Sequence, residues 1–537
     1  MSAGIQTFVQ SYFVRLLVVV IAAALLYVRM PGDFRHPQFW AEDVILWNQV
    51  YIFGIKSLVF PLAGYFLLVP RLLAQLGTIV PLSYVPAFYI YAATLIDLMI
   101  VYLATSPRLD LPLRPLVALS IVATYAGNYA LVTLANLQWV LPIGVFILIF
   151  MKPATKVILV AEIVYVLLTS VTGIFSIFLG PIALLRAVSL RHERPAMIRL
   201  LLLGGALCGG AVVQAIYVLC HLSGALIGSP HIAATWMLWT NMVFHQLFSP
   251  FGDVLFFGLL GVVATFILAA ITIVLALKYP FRPQKLAMLF FGMAVVVGGM
   301  IKSGVDLGPG FGLRYFYILS VFSLWFICCV AQAPVLRPLG VLIVIIIQVA
   351  WVRASAHFDH VQSDLEWSRW SQFVDRGLPF AFPAAPNRWY VDIPVKSPGG
   401  RYTKFTAWIG RDFNTVTSVE PECIGTFDTV GFYNYQLQFA TASNSFGLAI
   451  PEVLWLASGR NGNADDLIAF VDSYNSVLGF AFSGFKIAAQ DRTAQLQTRW
   501  HGIFPARVGE TVRAYAVRDQ GQSACLLQST RKLQKDD

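Results

Sequence analysis

The sequence predicts an α-helical polytopic membrane protein with a C-terminal all-β domain outside the cytoplasm. Three observations predict it. Of 537 residues, 58% are hydrophobic and only 12% charged, where a soluble domain carries about 25% charged residues, and the mean hydropathy is +0.72. Apolar stretches long enough to cross a bilayer recur along residues 1–352. Beyond residue 352 the pattern changes to short apolar/polar alternations bounded by Pro and Gly, the signature of antiparallel strands.

The first apolar run continues to Tyr27 without a basic start, a short apolar core and a small-residue cleavage site, so it reads as a retained helix at 14–28. Further spans are expected at 80–104, 115–133, 137–151, 156–171, 172–189, 198–222, 253–277, 285–302, 314–332 and 338–352, about eleven in all. The 54–78 run is broken by Pro61 and Pro70 and carries Lys56 and Arg71, so 43–53 and 57–76 read as two helices lying on the outer surface. A cytoplasmic N-terminus then places Arg108 and Arg114, Lys152 and Lys156, Arg186 to Arg199, Lys278 to Lys285 and Arg337 all inside. The net charge of +10 belongs to this half, since residues 353–537 hold 18 basic against 18 acidic residues. It follows the positive-inside rule and does not point to nucleic acid.

An odd number of spans sends the C-terminal region outside. Residues 353–389 form a helical connector carrying Trp367 and Trp370, and 390–537 a β-rich domain, expected as a sandwich. Cys208, Cys220, Cys328 and Cys329 fall in helices and read as buried thiols. Cys423 and Cys525 share the outer domain, where an oxidising compartment lets them pair. No Cys or His spacing suggests zinc.

Charges near the bilayer need a reason. The adjacent Glu42 and Asp43, in Phe39-Trp40-Ala41-Glu42-Asp43, follow directly on the first span; the plain alternative is a solvated helix start. Outward cations include Lys56, Arg71, Lys302 and Arg314, for which snorkelling to lipid headgroups is the alternative. The 223–252 loop carries His245 among Trp236, Trp239 and Phe244, with Asp253 at its end. With Trp40, this set suits a sugar platform, and an interfacial aromatic belt has the same composition. Asp306 lies in the glycine-rich 304–312 loop, while Asp97 and Glu162 lie within helices, where acids mark proton or ion paths.

One helix, then an outward loop with paired carboxylates, surface helices and many further spans resembles the GT-C superfamily of polyprenyl-phosphate-sugar-dependent glycosyltransferases. The segment from Phe39 to Asp43, with Gly64-Tyr65 and Pro70-Arg71, resembles the first outer loop of its bacterial members. The resemblance covers residues 1–350 in architecture and is specific over 37–75. It implies a base at Glu42 or Asp43 that deprotonates an acceptor hydroxyl, a polyprenyl-phosphate-linked sugar as donor, and inversion at the anomeric carbon.

On this reading the chain works at the periplasmic face of a bacterial inner membrane, with a cell-surface glycan, lipid or protein as acceptor. Arg71, Arg314, Lys56 and Lys302 would hold the donor phosphate, and His245, Asp253, Trp40 and Trp239 the sugar or acceptor. No cofactor is assigned; a divalent magnesium or manganese ion is allowed for without named ligands. Three alternatives stay open: a polymerase or ligase moving whole oligosaccharides, an ion-coupled transporter or flippase using Asp97 and Glu162, and a non-catalytic assembly subunit.

Overall fold

The apolar runs fold as helices in the computed structural model, which describes residues 3–62, 64–220, 259–278, 281–303, 313–332, 336–356, Trp367, Ser371, 380–384, 389–393, 411–432, 454–461, 467–483, 499–506, 509–518, 522–528 and 530–533. The helices are α1 (Ala3–Arg29), α2 (Pro31–Arg35), α3 (Ala41–Phe53), α4 (Leu68–Leu76), α5 (Val85–Ala104), α6 (Arg114–Ala123), α7 (Leu137–Ile149), α8 (Lys156–Ser170), α9 (Ser176–Ser189), α10 (Arg194–Cys220), α11 (Leu259–Lys278), α12 (Arg282–Ser303), α13 (Leu313–Val330), α14 (Arg337–Ser355) and the single turn α15 (Phe413–Val416). Two compact units result, one of Met1–Pro37, Ile55–Gly77 and Ala87–His360, the other of Gln38–Gly54, Thr78–Pro86 and Val361–Asp537.

Four described helical stretches are long and apolar enough to cross a membrane: Tyr12–Arg29, Leu82–Ala104, Arg194–Cys220 and Arg337–Ser355. Large apolar side chains such as Phe13, Val157, Leu219, Val274 and Val349 are exposed on the helices, a surface compatible with acyl chains. Inside the first unit, Phe146, Phe322 and Trp325 stack at 4.5 and 5.2 Å. The Trp325 indole donates to Val117 O at 2.8 Å and Ser120 Oγ at 2.7 Å, fixing α13 on α6. Helices α9 and α10 approach closely because Gly204 has no side chain; a Cβ there would meet Leu184 Cδ2 at 2.7 Å.

The spans expected at 115–133 and 137–151 need correction. Helix α6 has 10 residues and α7 has 13, well short of the roughly 20 that a span needs. Between them the chain runs as extended backbone at Thr124, a 3-10 turn over Tyr125–Tyr129, and irregular structure to Asn136. Most of this link is buried, Thr124 and Asn128 completely so. A hydropathy window reads through such a link because the apolar residues of α6 and of 130–135 flank its short polar turn.

The 57–76 helix is likewise shorter than expected. A 3-10 turn fills Gly54–Val59 and α4 begins only at Leu68, since Pro61 supplies no amide for a helix ladder.

In the second unit, β1 (Phe380–Ala384) and β2 (Trp389–Ile393) form an antiparallel hairpin with Phe380 opposite Ile393. The remaining strands are β3 (Ser418–Phe432), β4 (Leu454–Asn461), β5 (Leu467–Val471), β6 (Val477–Ser483), β7 (Arg499–Pro505), β8 (Thr511–Arg518), β9 (Ser523–Gln528) and β10 (Arg531–Lys532). They do not form the expected sandwich. The order β8-β5-β6-β7-β4-β3-β9 returns to β8, so seven strands close into a barrel, with β10 also paired to β8.

Closure depends on β9, which runs antiparallel to β8 and parallel to β3, and on register shifts along the 15-residue β3 that let it bend. A closed ring leaves no long edge for foreign strands. Its core is aromatic: Phe470 lies 5.6 Å from Trp500 and 4.5 Å from Phe504. Alternation marks one apolar face per strand, but a sandwich and a barrel use that face equally, so the sequence pattern does not separate them.

Candidate active site

The carboxylate pair sits at the strained entry to α3. Trp40 is extended (φ −102°, ψ 125°) and Ala41 takes φ 33°, a left-handed conformation that costs a Cβ-bearing residue about 1–2 kcal/mol. The Asp43 amide closes the turn on Trp40 O at 2.7 Å. Adjacent helical residues point about 100° apart, and their environments differ. Asp43 is 3% exposed, whereas Glu42 is half-buried. Both residues interact with neighbouring groups. At its far end Gly54, at φ 56°, stops the helix.

This helix start is packed against protein. Val44, Leu46, Trp47 and Val50 are all buried, and α3 packs on β2. Trp47 shares the Asp43 face one turn on and stacks on Tyr51 at 5.2 Å. Trp367 meets Phe39 edge-on at 4.8 Å and Trp47 at 5.5 Å, while its indole donates to Leu82 O at 2.9 Å. Three chain-distant segments thus meet at Trp367. Trp40 is itself buried at the helix entrance.

The expected phosphate cations are placed differently from one another. Arg71 is completely buried and donates to Ser57 O at 2.8 Å and Pro61 O at 3.3 Å, bracing the loop before α4. Burial lowers its pKa to about 10, opposed by Tyr217, so it is cationic at neutral pH. Lys56 is exposed on the 3-10 turn. Arg314, at the start of α13, is half-buried with its guanidinium 5.8 Å from the Tyr315 ring. Lys302 lies in α12; its side chain, and all of Trp239, His245, Asp253 and Asp306, fall outside the described residues. Tyr315 lines a cleft with Tyr65, Gln138, Trp139, Phe175 and Phe178.

Of the two intrahelical acids, Glu162 is structural. Arg108 and Arg199 each reach one of its oxygens at 2.6 Å, and Arg199 also donates to Leu148 O and Met151 O. Asp97 forms no ion pair among the described residues; it accepts from the Val132 amide at 3.0 Å. No group of three or more His, Cys, Asp and Glu that could hold a metal ion occurs among the described residues. The magnesium or manganese ion allowed for therefore gains no ligand set there.

In the barrel, Cys525 is disulfide-bonded, while the four helical cysteines are free thiols: Cys328 and Cys329 are buried as expected, but Cys208 is half-buried and Cys220 exposed. Cys423 is the sixth cysteine, and its backbone lies in β3 opposite Leu527 of β9; its side chain is outside the described residues.

Sequence reasoning missed the aromatic clamp on α3. Trp367 stood out only as part of a connector, and its partners lie 285 or more residues upstream. No local spacing reports such a contact. No protein-family model, curated protein or solved structure matches the chain.

Proposed function

We propose that the chain is an integral-membrane glycosyltransferase that moves a sugar from a polyprenyl-phosphate carrier to a hydroxyl of a cell-surface glycan, lipid or protein. It would work on the periplasmic side of a bacterial inner membrane, as a multi-pass protein with a cytoplasmic N-terminus and the barrel outside. The observation that carries this reading is the carboxylate pair on a strained, buried helix start directly after the first apolar helix.

Glu42 is the general base in this proposal. Its half-buried side chain is the more reachable of the two, which supports it over the buried Asp43. Glu42 takes the proton of the acceptor hydroxyl, and that oxygen attacks the anomeric carbon. The bond from that carbon to the phosphate oxygen breaks, and the lipid phosphate departs with the electron pair, giving inversion. Lys56, Lys302 and Arg314 remain the cations proposed for the donor phosphate, and Trp239, His245, Asp253 and Trp40 the groups proposed for sugar or acceptor. The buried bonds of Arg71 support a loop-bracing role instead. The aromatic cleft beside Tyr315 suits the donor's apolar chain.

A second reading, ion-coupled transport of a lipid-linked glycan, is favoured by Asp97 alone, because Glu162 is held by two arginines. The deciding experiment supplies purified protein in nanodiscs with radiolabelled polyprenyl-phosphate sugars and measures free polyprenyl phosphate. Release that depends on an acceptor hydroxyl supports the transferase. Movement of intact donor across a liposome bilayer without release supports transport.

A further inference from the structure

Asp97 lies in α5, completely buried, and faces the irregular link between α6 and α7. Its Oδ2 accepts from the Val132 amide at 3.0 Å, whereas Oδ1 has no hydrogen-bond partner among the described residues. Val132, a β-branched residue at φ 63°, is held in left-handed backbone to present that amide. The neighbouring Thr133 hydroxyl, 2% exposed, is also without a partner, as is the buried Thr124 hydroxyl at the start of the link.

The positive charge in this region is committed elsewhere. Arg29, at the end of α1, is completely buried and donates to Val122 O, Thr124 O and Asn128 Oδ1. Tyr317 lies within electrostatic reach of both Asp97 and Arg29, and its hydroxyl donates to Ile121 O at 2.9 Å. Among the described residues the carboxylate therefore has one amide and a polar hydroxyl neighbour and no ion pair with a cationic side chain.

A single buried carboxylate, oxygen donors only, and unwound backbone within an apolar unit together define the kind of ligand that fits. Hard oxygen ligands select alkali and alkaline-earth ions over softer metals. One carboxylate balances one positive charge, where a divalent ion would leave a surplus charge buried. Unwound segments of membrane proteins supply free carbonyls for such ions. We infer that Asp97 and the link around Val132 and Thr133 form a binding site for a monovalent cation of the sodium type. The inference is independent of the transferase reading, because the site needs neither donor nor acceptor.

The test follows thermal unfolding of the full-length protein in detergent by tryptophan fluorescence. Sodium chloride is titrated against choline chloride at constant ionic strength, and retention of radioactive sodium is measured in parallel. The expected result is a saturable rise of several degrees in sodium and none in choline, with near-stoichiometric sodium retention. Asp97→Asn should unfold at the same temperature in both salts and retain no sodium. Should that variant not fold, the wild-type salt comparison and sodium retention decide alone. Equal unfolding curves in the two salts overturn the site, as does full sodium retention by Asp97→Asn. A response to pH alone, with no sodium dependence, also overturns it and assigns Asp97 to a proton.

Discussion

Arg199 Nε lies 2.6 Å from Glu162 Oε2, with both side chains almost completely buried. Arg108 holds the second carboxylate oxygen, and the same two arginines bond carbonyls at Leu148, Met151 and Lys152. The acid thus joins α8, α10 and the ends of two loops. Glu162→Ala leaves a buried arginine without its counter-charge and is expected to destabilise the protein by about 3–5 kcal/mol. Chemical denaturation in detergent checks this. Glu162→Gln should keep substrate turnover per folded molecule near wild type, and a specific loss of turnover would return Glu162 to a functional role.

Trp367 is expected to act through α3. Removing its ring takes away two edge-on aromatic contacts and the bond to Leu82 O. Trp367→Ala should cost about 3–5 kcal/mol. Trp367→Phe should recover most of it, apart from about 0.5–1.5 kcal/mol for the lost hydrogen bond. Chymotrypsin cleavage within 38–54 should quicken in the alanine variant only; equal cleavage in all three proteins would disconnect Trp367 from α3.

Arg71 divides a structural role from a phosphate-binding one. Because its bonds go to Ser57 O and Pro61 O, Arg71→Lys should lower stability by roughly 1–3 kcal/mol through lost donors. Donor affinity, measured on the folded fraction by isothermal titration, should stay within about threefold, less than 1 kcal/mol. A hundredfold weakening with unchanged stability would place Arg71 on the donor phosphate.

Cys423 and Cys525 are expected to pair in protein taken from an oxidising compartment. The loop they close is about 100 residues long, for which the chain-entropy model gives up to about 4.7 kcal/mol. Non-reducing peptide mapping should recover the linked peptides, and reduction should lower the barrel's unfolding temperature. Recovery of both peptides with free thiols would contradict the pairing.

What the sequence made legible was local. Apolar run length located the α1, α5, α10 and α14 stretches, and alternation located the strands at 389–393, 477–483 and 511–518. It did not separate α6 and α7 from spans, because apolar residues flank the short polar turn of the buried, non-helical link 124–136. Barrel closure rests on the β3–β9 pairing of residues about 100 positions apart, which no strand's own pattern encodes. At the site, the adjacency of Glu42 and Asp43 was visible, while their different burial depends on the fold of α3 against Trp367 and β2.

Comparison of Glu42→Gln with Asp43→Asn tests the central claim most directly. Sugar transfer by each purified variant is measured in nanodiscs, alongside donor binding and unfolding temperature. With Glu42 as base, Glu42→Gln should lose about 10²–10⁴-fold in rate while keeping donor binding and stability near wild type. Asp43→Asn, at a buried position, should chiefly lower stability and retain measurable transfer. Transfer by Glu42→Gln at the wild-type rate would contradict the account.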